Sequence, residues 1–192
     1  MTKNTKLLWF TLTINVLLQV SQVQAKVNPQ TESVAPTESV THENKQNLSD
    51  EEQSFKTALT YIDSAHQVAN FADREKLLSN ARVELTNAVT KNHNYLEAVY
   101  FRGVVNLMLG KLNEGEADLQ RAVEINPKTA EAHYNLACLY SVRNNTELAL
   151  MSLDNALKNG FKDTDYLFHD PDLAFLRNVK EFNEVLAKNK IF

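Results

Sequence analysis

Two stretches of this chain, Leu96–Thr129 and Ala130–Asp163, repeat each other at an offset of 34 residues. Overlaid, Gly103 falls on Ala137, Gly115 on Ala149, Leu119 on Leu153, Ala122 on Ala156 and Val123 on Leu157. A fainter copy one period earlier is carried by Ala69, Ala81, Leu85, Ala88 and Val89. A fixed period of this length marks a unit stacked on copies of itself, because one unit alone cannot bury its apolar face. The expectation is an all-α superhelix, a solenoid of about three helix pairs, closed at its end by a helical cap.

The spacing within each copy supports helices. Apolar residues recur at steps of three and four through Tyr95–Leu109 and Leu112–Ile125, and again through Ala130–Arg143 and Thr146–Lys158. Gly110 and Asn144-Asn145 break each pair, while Asn126-Pro127 and Asn159-Gly160 end it. Turns this short force the two helices of a pair to run antiparallel. Upstream, Ser49-Asp50-Glu51-Glu52 has the form of a capping box, and Phe55, Ala58, Leu59, Ile62, Ala65 and Ala69 form one stripe. Leu78, Ala81, Leu85, Ala88 and Val89 mark its partner, for which Asp73 is the expected start.

These residues carry a resemblance. The last copy is similar to the tetratricopeptide repeat, W-x2-L-G-x2-Y, then A-x3-F, then P. His133 stands at the tryptophan, Leu136-Ala137 at Leu-Gly, Tyr140 at the tyrosine, and Ala149 and Leu153 at A-x3-F. The middle copy keeps Gly103, Leu119, Ala122 and Pro127 but places Arg102 and Asn106 at the leucine and tyrosine positions. The periods are 62–95, 96–129 and 130–163, inside a folded body of 49–163. The small residues have a mechanical reason: Ala69, Gly103 and Ala137 on first helices are expected to face Ala81, Gly115 and Ala149 on second helices, letting two backbones approach.

The flanks differ in kind. Residues 1–25 read as a signal peptide: Lys3 and Lys6 precede a 14-residue, mostly apolar run from Leu7 to Val20, then Val23-Gln24-Ala25. At ~1.5 Å per residue the run is about 21 Å long, short of a ~30 Å bilayer core. Residues 26–48 form a linker with Pro29, Pro36 and few apolar side chains. Residues 164–192 do not repeat. Asp170-Pro171-Asp172 looks like a helix start, and Leu173, Phe175 and Leu176, then Phe182, Val185 and Leu186, supply the apolar surface a terminal cap needs.

Charge and motifs exclude several classes of function. The net charge of -4 offers no basic field for nucleic acid. There is no phosphate loop, no nucleophile elbow and no zinc-protease helix, so the chain reads as a non-enzyme without cofactor or metal. His66 and His133 lack a third ligand for zinc. Cys138, the only cysteine, reads as a small buried hydrophobe; a reactive thiol or an intermolecular bridge is the other reading, but no activating base is recognisable in the sequence.

The resemblance implies where a partner would sit. In the family, the first helices line a concave groove that takes an extended peptide or a helix. Carried over, the groove residues are Tyr100, Phe101, Val104, Leu107, Met108, Tyr134, Asn135 and Cys138, with His66, Asn70 and Ser141 at its margins; the alternative is that the N-terminal helix or the C-terminal tail packs into this face. Cochaperones that clamp the C-terminal carboxylate of cytosolic heat-shock proteins need Lys and Arg there. Asp63, Glu97 and Glu131 would repel that ligand. The expected function is an exported, periplasmic or secreted protein-protein interaction module that serves as an envelope assembly or scaffold factor, with no stable membrane insertion once the signal is cleaved. The alternative is a regulatory or targeting subunit of a cell-envelope peptidase or cell-wall hydrolase.

Overall fold

The computed structural model describes residues 48–191. The segments expected to be a signal peptide (1–25) and a linker (26–48) lie outside the described residues, Leu48 excepted. Within them the chain is all-α: α1 (Asp50–Gln67), α2 (Phe71–Lys91), α3 (Leu96–Met108), α4 (Leu112–Ile125), α5 (Ala130–Val142) and α6 (Thr146–Lys158). A short α7 (Thr164–His169), two 3-10 turns (Pro171–Leu173 and Leu176–Asn178) and α8 (Lys180–Lys188) follow. Each of α1 to α6 packs mainly on its neighbours in sequence, the contact pattern of a solenoid built from three helix pairs.

The starts and stops follow from local chemistry. Ser49 and Glu52 form the capping box: the Ser49 amide donates to the Glu52 carboxylate at 2.9 Å, and the Glu52 amide donates to Ser49 Oγ at 3.4 Å. The last carbonyls of α1 are met by a side chain from α2, Arg74, whose Nε donates to Ala65 at 3.1 Å and whose Nη2 donates to Val68 at 2.6 Å. Gly110 and Asn144, 34 positions apart, hold the same left-handed conformation after α3 and α5, at φ 73° and 56°. The copies therefore agree in their turn geometry as well as in their core.

The first period departs from the other two. Its second helix begins at Phe71, capped by Asn70 rather than by Asp73, and runs 21 residues against 14 for α4. Ala69, expected at the helix crossing, is exposed in the short loop between α1 and α2. The two extra turns of α2 push the loop forward, so α1 lies earlier in sequence than a strict 34-residue offset allows. Ala58, Ala65 and Ala81 are fully buried or nearly so in this longer hairpin.

In the middle pair the backbones touch. A Cβ added at Gly115 would sit 2.5 Å from Leu107 Cδ2 and 3.0 Å from the Gly103 carbonyl oxygen. The polar residues at the leucine and tyrosine places of this repeat also have a structural role. Arg102 pairs with Asp118 of α4, and Asn106 Nδ2 donates to the same carboxylate at 3.0 Å. Between pairs, Glu116 of α4 accepts from Tyr140 Oη at 2.8 Å and pairs with Arg143, which also reaches Asn113.

Candidate partner-binding groove

The groove residues belong to α3 and α5, the first helices of the second and third pairs. All eight are interior in the described structure, the most exposed being Tyr100 at 6%. On the N-terminal side, α1 contributes Phe55, whose ring lies 5.8 Å from Phe101 and 5.1 Å from Tyr95. Tyr100 meets Phe101 edge-on at 5.3 Å, and its hydroxyl accepts from Asn135 Nδ2 at 3.0 Å, tying α3 to α5. Val104 and Met108 are buried on α3. Leu107 lies against the Gly115 position of α4, so it fills the crossing within its own helix pair.

On α5 the same row meets the C-terminal segment. Tyr134 stacks on Phe161 at 4.1 Å with the rings 9° apart, and meets Tyr166 edge-on at 6.3 Å. Its hydroxyl donates to Asp170 Oδ2 at 2.7 Å, and Cys138 Sγ lies 3.6 Å from the same oxygen. Asp170 also caps the Pro171–Leu173 turn, its Oδ1 accepting from the Asp172 amide at 2.8 Å, with Pro171 in the first turn as the sequence predicts. Ser141, one turn beyond Cys138 on the same face, is fully buried and its hydroxyl has no hydrogen-bond partner among the described residues.

A family model described as tetratricopeptide repeat matches residues 119–151, from the middle of α4 through α5 into α6. That stretch is similar to one tetratricopeptide repeat. The matched stretch contains His133, Leu136, Ala137, Tyr140 and Ala149. A further likeness is to a chloroplastic protein of Arabidopsis thaliana, 36% identical over 82 residues. That alignment covers 41% of this chain and 24% of the plant protein, so the chain spans only a minor part of that relative.

The surroundings of the repeat's inner face keep the Tyr134 hydroxyl and the Cys138 thiol protonated. Burial holds the Tyr134 hydroxyl far above its usual range, with Cys138 and Asp170 adding to the effect. Burial likewise pushes the Cys138 thiol up, reinforced by Asp170 and Asp172. A thiol so placed is a poor nucleophile, which favours the packing reading of Cys138. The margin residues are used locally: His66 Nδ1 lies 2.8 Å from the Ile62 carbonyl oxygen, Asn70 caps α2, and His133 Nε2 lies 3.0 Å from the Pro127 carbonyl oxygen. The residues that sequence reasoning missed are Phe161, Tyr166 and Asp170, which lie against the groove wall. One signal was available: Asp170 and Asp172 flank a proline in a stretch otherwise suited to burial.

Proposed function

We propose that this chain is a non-enzymatic adaptor that holds a peptide or helix of a partner protein against the inner faces of α3 and α5. The tetratricopeptide repeat is typically a non-catalytic interaction scaffold, and the chain's own α5 supports that reading here. Tyr134 already holds a peptide segment by an aromatic stack and a hydroxyl-to-carboxylate bond, the two contacts that serve peptide capture in general. The partner-binding residues are Tyr100, Val104, Met108, Tyr134, Asn135 and Cys138, with Phe101 and Leu107 supporting them from below. The adaptor works outside the cytoplasm, in assembly or scaffolding of an envelope complex; the N-terminal sequence supports export. No helix among the described residues is long and apolar enough to cross a membrane.

Site-specific photo-crosslinking in cells tests this. A probe at Glu97, exposed at the start of α3, is expected to give one discrete protein adduct; a probe at Met151, exposed on α6, is expected to give none. No adduct at Glu97, or the same adduct at both positions, overturns the groove assignment.

A further inference from the structure

The C-terminal segment does two separable things. Leu176–Asn178 and α8 pack on α6, burying Leu176, Phe182 and Leu186, while Lys188 and Asn189 bond to Asp154 of α6. That closes the last face of the stack, as a terminal cap must. Pro171–Leu173 packs instead on α5, with Leu173 fully buried and Asp170 on Tyr134. Covering an inner helix is no part of closing the end of a solenoid.

We propose that the stretch Thr164–Leu173 is a resident ligand of the groove, and that the groove takes from a partner a peptide of the same chemistry. That peptide carries an aspartate, a proline directly after it and a leucine three residues after the aspartate. This inference rests on the groove reading above and deepens it. The carboxylate is selected by the Tyr134 hydroxyl and the Cys138 thiol, both donors toward Asp170. Proline is selected because Asp170 caps a turn whose first position has no use for an amide hydrogen. Leucine is selected by the closed apolar site that Leu173 fills.

The geometry allows exchange. The resident stretch lies between two places where the chain can turn out: Gly160, at φ 101° with open space around its α-carbon, and the exposed pair Ala174-Phe175. It can leave while α8 stays on α6. The fit is also incomplete, since the Ser141 hydroxyl, one turn beyond Cys138 on α5, is buried with no hydrogen-bond partner among the described residues. A partner peptide that bonds Ser141 gains a contact the resident stretch lacks. Tethering gives the resident stretch an effective concentration on the order of mM, so an external peptide of equal fit does not compete until the resident stretch is weakened.

A fluorescein-labelled synthetic peptide of residues 164–176, titrated by anisotropy into the full chain, tests this. In a chain carrying Asp170→Asn and Leu173→Ala the peptide is expected to bind at least tenfold tighter than in the wild-type chain. The same peptide bearing those two changes should bind neither. Absence of binding to a folded variant, or equal binding of both peptides, overturns the proposal. Hydrogen exchange on the wild-type chain decides the matter if the variant does not fold. The amides of Asp170 and Leu173 donate to Tyr166 and Asp170 of the same segment, that of Leu167 to Asp163 just before it, and all three are expected to exchange at least tenfold faster than those of Cys138 and Leu186. Uniform exchange across the three elements overturns the proposal. A failed titration with the Glu97 adduct intact refutes the resident ligand and leaves the groove reading; specific peptide binding with no adduct does the reverse.

Discussion

Arg102 meets the carboxylate of Asp118 with two side-by-side hydrogen bonds, Nε donating to Oδ2 at 2.9 Å and Nη2 to Oδ1 at 2.6 Å. The pair joins the two helices of the middle repeat, with Arg102 at the position where the family pattern places a leucine and Asn106, at the tyrosine position, bonded to the same carboxylate. A two-point pair of this kind is geometrically specific, and Asn106 occupies a third acceptor site on the same carboxylate. The middle repeat has exchanged part of its apolar crossing for a polar one.

That exchange makes the pair sensitive to half-removal. Asp118→Ala strands the Arg102 guanidinium and the Asn106 amide, and should cost about 2–3 kcal/mol. The loss sits below the usual range for a fully buried pair because the Arg102 side chain keeps 22% of its exposure. Changing Arg102 to Met and Asp118 to Leu together should recover more than half of the loss, as two apolar groups leave no orphan charge. Urea denaturation followed by circular dichroism measures both; equal losses in the single and double variants would sink the argument.

The close backbone approach in the same pair predicts an order among glycine substitutions. Gly115→Ala meets Leu107 at 2.5 Å and the Gly103 carbonyl at 3.0 Å, whereas Gly103→Ala meets nothing nearer than 3.0 Å. Overpacking should outweigh the gain of about 1 kcal/mol in helix propensity at Gly115, leaving a net loss of about 1–2 kcal/mol. At Gly103 the two effects should nearly cancel. Thermal melts of the two variants settle the order.

Asn144 shares the left-handed turn of Gly110 but carries a side chain there. Asn144→Gly should therefore stabilise the chain by about 0.5–1 kcal/mol, because glycine adopts that conformation without steric cost. A melting temperature that falls in this variant would show that the Asn144 side chain has a bonding role.

The junction between α6 and α8 predicts an acid transition. Burial of Asp154 raises its carboxyl, but hydrogen bonds from Lys158, Lys188 and Asn189 outweigh that and hold it at about 2, against an ordinary 3.8. A depressed carboxyl contributes stability that is fully present above the ordinary value and is lost as pH falls from 3.8 through 2. The contribution should be about 1–2 kcal/mol, discounted because both lysines are half-exposed and screened by solvent. Asp154→Asn should flatten this part of the stability-against-pH curve, as measured by denaturant titrations between pH 2 and 5.

How much was legible in the residues themselves varies along the chain. The limits of α3 to α6 follow from the apolar spacing and from Gly110, Pro127, Asn144 and Gly160 to within about a residue, because those signals are local. The Ser49 and Asp170 caps are equally local. The α1–α2 hairpin was misplaced because the small residues that repeat, Ala81 and Ala88, constrain only the packed half of α2. Its extra turns at Phe71–Leu77 repeat nothing in the later pairs. The groove row was recognisable as a face, and a terminal segment lying on it was one of two readings, but the residues of the tail that lie on it were not. Tyr134 and Asp170 are 36 residues apart, and no periodicity reports which of two apolar segments at that distance lies on the other. Arg102 and Asn106 stood out as departures from the pattern; their common partner Asp118 emerges only once α4 is laid against α3.

The α8 contact with α6 has a consequence for how such a chain can change length. A further helix pair joined after Lys158 would need the same face of α6 that Leu176, Phe182 and Leu186 now occupy. Growth by duplication at that end would therefore evict the tail, and with it Asp170 and Leu173 from α5. Units that enter between existing pairs, where each face already expects a copy of its neighbour, leave the tail in place, so the register of the array is counted from its C-terminal stop.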